Sequence, residues 1–241
     1  MHCIPLKIHG GGFLRVCGSL NAHQIIVLTG REDYNRDLVL MRQLFEFFAQ
    51  SNHTIVQYES AGETAMRRIN CAFFEHWPMR LRQFIKFFIL LGMPKYWSAL
   101  SRRHRELVRS THYRMRAFSE LIQFLGPDKE LIFITRSASR CIATRLADEM
   151  GLCKVVCLGY PFQNPSRGAE PERYEHLSAL QTPFLLVQGT RDIYGGFSML
   201  GRYRFSKNTQ LLSIDSDHDL VLSESEQLKL FMRIERFIDN S

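Results

Sequence analysis

The strongest constraint on how this chain folds is a series of short, continuously apolar runs separated by helix-length segments. Residues 24–29, 130–135, 155–158 and 184–188 lack the alternation expected of a strand with one wet face. Such runs, rich in Ile, Val, Leu and Phe, read as strands buried on both sides of a parallel sheet. Residues 210–214 form a further strand. Helical patterns over 37–50, 139–150 and 224–238 alternate with these strands, and 54–58 is strand-like. Strand and helix in alternation predict an α/β fold: a mainly parallel, twisted sheet with helices on both faces.

Two regions depart from that rhythm. Residues 4–8 and 13–17 flank His9-Gly10-Gly11-Gly12, which reads as a hairpin turn between two strands. Residues 62–125 read as helical almost throughout, broken at Pro78 and at Gly92-Met93-Pro94. The expected organisation is a core formed by 1–61 and 119–241, interrupted by a helical cap or insertion over 62–118. A chain of 241 residues is long enough for one such core plus a small cap. The net charge of +7 belongs to the insertion. Twelve Lys or Arg stand against three acids between Gly62 and Phe118, a local balance of +9 that leaves −2 elsewhere. Interleaved Phe73, Phe84, Phe87, Phe88 and Trp97 give this basic block an apolar face. A solvated cap packed on the core fits it. So does attraction of an anionic substrate, or peripheral contact with an acidic membrane surface.

Several classes are set aside. The longest apolar run, 84–93, contains Lys86 and is about half the length of a membrane span, so no transmembrane segment is expected. The N-terminus lacks a secretory pattern, and the six cysteines show no CxxC or zinc spacing. Reduced, mostly buried thiols and a cytoplasmic location are therefore expected. No nucleic-acid module, phosphate loop or metal-ligand cluster is present in the sequence, so nucleic acid, cofactor and metal are not expected. Composition says nothing about oligomeric state.

Three residues just past predicted strands could carry chemistry. Ser137 lies between strand 130–135 and the helix that follows, where a nucleophile would be exposed near a helix N-terminus. A helix N-cap is the other reading of the same serine. Asp192 follows 184–188 and precedes Gly195-Gly196; it fits either an acid that orients a histidine or a turn aspartate. His218 follows 210–214 and suits a general base near neutral pH, with Asp215, Asp217 and Asp219 competing with Asp192 as its partner. Serine, acid and histidine in this order, each beyond a different strand, is the chain order of the α/β-hydrolase triad. For the oxyanion hole the candidates are the amides of Gly30 and Arg31 after strand 24–29, with Ala138 as the second donor.

The stretches Gly159-Tyr160-Pro161-Phe162 and Gln188-Gly189-Thr190-Arg191-Asp192-Ile193-Tyr194-Gly195 resemble the dienelactone-hydrolase-like branch of the α/β-hydrolase superfamily, as do Arg136-Ser137 and Asp217-His218. The resemblance covers most of residues 20–61 and 125–240. It implies Ser137 as nucleophile, Asp192 as acid and His218 as base of a serine esterase or thioesterase acting on a small acyl substrate through an acyl-enzyme. Two departures stand out. Thr135 and Ser139 occupy the positions of the elbow glycines, and Gly30-Arg31-Glu32-Asp33-Tyr34 replaces the usual glycine-rich oxyanion loop. A catalytically inactive member that binds a ligand or a protein partner is the alternative.

Overall fold

The structure, a computed structural model, describes residues 4–7, 13–30, 34–59, 111–126, 128–136, 139–166 and 168–240. The expected insertion lies outside them except for its last residues, which begin a helix that continues past residue 118.

In chain order the strands are β1 (Ile4–Lys7), β2 (Phe13–Cys17), β3 (Gln24–Thr29), β4 (Thr54–Glu59), β5 (Glu130–Arg136), β6 (Lys154–Leu158), the two-residue pair β7 (Gln163–Asn164) and β8 (Gly168–Ala169), β9 (Phe184–Gly189) and β10 (Thr209–Ile214). The helices are α1 (Tyr34–Gln50), α2 (Thr111–Leu125), α3 (Ser139–Leu146) and α4 (Glu224–Asp239). Eight strands form one sheet in the order β1-β2-β4-β3-β5-β6-β9-β10. From β4 to β10 every pairing is parallel, whereas β2 runs antiparallel to both β1 and β4. Lys7 faces Phe13 across the β1–β2 pair, as a hairpin around 9–12 requires; residues 8–12 themselves lie outside the described set.

The apolar runs are continuous because both faces of the sheet are covered. On one face Ile25, Val27, Leu131, Phe133 and Val155 pack against Phe118, Leu121 and Ile122 of α2 and Ile142 and Leu146 of α3. On the other, Ile26, Leu28, Ile132, Ile134 and Val156 pack against Leu44, Phe45 and Phe48 of α1 and Phe231, Ile234 and Phe237 of α4. Successive residues of one strand thus enter opposite layers, so no polar side chain is needed at alternate positions. α4 is fixed at both ends. Ser223 and Glu226 form a capping box at its start, and buried Lys154 donates to Ile238 O and Asn240 O, each at 2.6 Å, at its finish.

The thiol expectation needs one correction. Cys141, Cys153 and Cys157 are free, but Cys17 is disulfide-bonded. Disulfide pairing depends on which side chains the tertiary fold brings together, and sequence spacing did not signal it. Among the described residues no helix is long and apolar enough to cross a membrane.

Candidate active site

β9 and β10 run parallel and in register to their last residues, Gly189 and Ile214, so the loops that leave them emerge side by side. Thr190 N donates to Ile214 O at 2.9 Å and Arg191 N to Ser216 O at 3.0 Å, joining the two loops. Gly189 sits where they meet. A Cβ there would lie 2.5 Å from Ser216 O and 2.7 Å from Asp217 O, a backbone approach that only glycine permits.

This closeness brings Asp192 and His218 into contact. His218 Nδ1 lies 3.0 Å from Asp192 Oδ1 and 2.9 Å from Oδ2, with the acid 4 % and the histidine 8 % exposed. The carboxylate has a fixed donor on each oxygen as well. Tyr194 N donates to Oδ1 at 2.8 Å and Gln188 Nε2 to Oδ2 at 2.9 Å. Two of the competing acids are engaged elsewhere. Asp215 Oδ1 accepts from Thr190 Oγ1 and pairs with Arg191, and Asp217 Oδ1 accepts from Asp219 N.

The histidine loop is braced from three sides. The Tyr194 ring packs on the imidazole with centroids 4.4 Å apart. Leu220 adopts φ +50°, a left-handed conformation costing a leucine about 1–2 kcal/mol. Its side chain is buried in the layer under α1 and α4, which returns about 1.5–3 kcal/mol. From the end of β5, the buried Arg136 guanidinium donates to His218 O at 3.3 Å and to Asp219 O at 2.6 Å.

Ser137, Ala138 and Arg31 lie outside the described residues. The residues that precede them in the chain, Thr135, Arg136 and Gly30, are described. Thr135, buried at an elbow-glycine position, directs its hydroxyl to Val156 O at 3.3 Å and toward Cys157 Sγ at 3.2 Å, so its extra atoms are absorbed by β6. β3 lies beside β5 with Thr29 opposite Thr135. Gly30 is therefore next in register to Arg136, and a Cβ on it would meet nothing within 4 Å. Among the described residues no cluster of His, Cys, Asp and Glu could hold a metal ion.

A second histidine, which the sequence reading passes over, makes contact with Thr144 of α3. His176, in the 3-10 turn Glu175–Ser178, has its Nε2 2.9 Å from Thr144 Oγ1. Burial, helped by the Arg145 guanidinium and opposed by Asp148, pushes its imidazole down to about 4. Beside it, burial pushes the Tyr160 phenol well above its usual value, and the hydroxyl donates to Arg173 O. Gln188, Arg136 and Tyr194 were also passed over as functional groups. For Gln188 and Arg136 the available signal is a polar side chain closing an otherwise apolar run.

An ionised carboxylate only accepts hydrogen bonds, so Asp192 requires the hydrogen of the neutral imidazole to sit on Nδ1. The other ring nitrogen, Nε2, then presents a lone pair that can take a proton. The chain belongs to the alpha/beta hydrolase family, whose domain model matches residues 95–241. No curated protein matches it in sequence. Its architecture is similar to that of a predicted CIB-like hydrolase from Thermoplasma acidophilum (TM-score 0.61, 9 % identity, 99 % of this chain and 98 % of that one). It is also similar to a thioesterase domain from the curacin biosynthetic pathway (0.61, 12 %, 96 % and 99 %) and to an esterase of Pyrococcus furiosus (0.58, 11 %, 98 % and 90 %). At such identities the likeness establishes the α/β-hydrolase fold.

Proposed function

We propose that the protein is a serine hydrolase of the dienelactone-hydrolase-like branch that cleaves an ester or thioester of a small acyl substrate. The observation that carries this reading is the buried Asp192–His218 pair at the ends of β9 and β10. Ser137 Oγ attacks the acyl carbon while His218 Nε2 takes its proton. The tetrahedral oxyanion is held by the amides of Ala138 and the Gly30–Arg31 segment. Collapse expels the alcohol or thiol, which leaves with the proton from His218; water then repeats both steps on the acyl-enzyme. Asp192 keeps the imidazole in one tautomer and stabilises the imidazolium. The basic segment over 62–118 supports an anionic acyl substrate.

Thr135 in an elbow-glycine position favours a second reading, a catalytically silent member that binds a ligand or partner. A fluorophosphonate probe separates the two. Wild type should label, and Ser137→Ala should not. A folded wild type that stays unlabelled refutes the hydrolase and supports the silent reading.

A further inference from the structure

Gln188 is fully buried at the penultimate position of β9, where every neighbour along the strand is apolar or glycine. Its amide is committed on both atoms. Oε1 accepts from Tyr160 N at 2.6 Å. Nε2 lies 2.9 Å from Asp192 Oδ2, 2.7 Å from Gly195 O and 3.2 Å from Tyr160 O. An amide nitrogen carries two hydrogens. The two shorter contacts fit them, one to the carboxylate and one to the loop carbonyl.

We propose that Gln188 is a positioning residue for Asp192, an inference that rests on Asp192 and His218 acting as acid and base. Rotation about the Asp192 Cβ–Cγ bond would let the carboxylate turn its edge away from the imidazole. Two donors on opposite oxygens prevent this: Tyr194 N on Oδ1 and Gln188 Nε2 on Oδ2. The backbone donor moves with the loop that carries Asp192. Gln188 is anchored instead in the sheet and, through Tyr160, in the turn that follows β6. It therefore references the carboxylate to the rigid core rather than to its own loop.

The same bonds make one physical unit of the stretches 159–162 and 188–195. The amide type is specified by this role. Glutamate would lose the donor and set a second carboxylate against Asp192, and methionine would leave Tyr160 N and Gly195 O without this partner. Gly195, whose carbonyl takes the second hydrogen, has φ +127°, and a Cβ on it would lie 3.1 Å from Phe162, so the loop packs tightly against that ring.

The test uses Gln188→Met and the isosteric Gln188→Glu, each confirmed as folded by circular dichroism. Two readouts are followed: the second-order rate of fluorophosphonate labelling and the downfield proton resonance of His218 Nδ1–H, assigned by its loss in His218→Ala. Either variant is expected to lower the labelling rate about 10- to 100-fold, the scale of one hydrogen bond to a charged group. The downfield resonance should broaden or vanish. In an Asp192→Asn background, Gln188→Met should change the rate less than about twofold, because the effect runs through Asp192.

Labelling within twofold of wild type with the resonance retained overturns the proposal. So does a full, additive loss in the Asp192→Asn background, which would mean that Gln188 acts independently of Asp192. If wild type itself does not label, the hydrolase reading fails, while the resonance still decides whether Gln188 holds the Asp192–His218 pair.

Discussion

His176 makes the protein acid-sensitive in a way that can be worked out from its surroundings. In the unfolded chain its imidazole titrates near the ordinary value of about 6.5. In the fold, burial and then Arg145 lower it to about 4, against the pull of Asp148. Between those two values the unfolded chain holds a proton that the folded chain refuses, so stability rises with pH across that window. The contribution of the neutral imidazole is complete above about pH 6.5 and is lost as the pH falls toward 4. The full displacement, about 2.5 pH units, corresponds to roughly 3.4 kcal/mol, and integration to pH 5 gives about 2 kcal/mol. His176 is only half-buried, so solvent screening reduces this to about 1 kcal/mol at pH 5. In His176→Gln the amide can still reach Thr144 but cannot titrate. Urea unfolding of wild type and variant at pH 7 and pH 5 measures the difference directly. Wild type should lose about 1 kcal/mol more than the variant on acidification. Parallel losses, or a larger loss in the variant, would refute the reasoning.

Asp192→Asn should reduce fluorophosphonate labelling by about 10⁴-fold, the scale known for removing the acid from a Ser-His-Asp protease, with the fold retained; a drop below about tenfold would argue against its role. Gly189→Ala would set a methyl group within 2.7 Å of two carbonyl oxygens of the histidine loop. The loops must part, so both thermal stability and labelling should fall; unchanged labelling would show that the two loops tolerate separation. Lys154→Met removes the two bonds that close the end of α4 and should cost about 1–3 kcal/mol in chemical unfolding while leaving the labelling rate per folded molecule unchanged.

What the sequence made legible, and what it did not, divides along one physical line. Strands β3, β5, β6 and β9 could be read because burial on both faces leaves an unbroken apolar run, and α1 and α4 because an amphipathic stripe repeats every helical turn. The meeting of Asp192 and His218 was implicit in the same pattern. Two loops that leave adjacent parallel strands at the same end have little choice but to touch, and Gly189 between them permits the closest approach. The supporting groups were not legible, because their meaning depends on register. Gln188 and Arg136 each close an apolar run, where a polar residue ordinarily signals that the chain is leaving the core. Here both remain buried, and each reaches a loop from a different strand: Gln188 the turn after β6, Arg136 the histidine loop two strands beyond its neighbour β6. Nothing in local spacing distinguishes a polar residue that exits from one that turns back inward. What distinguishes them is the partner waiting at the strand end, and that is supplied only by the order in which the sheet assembles.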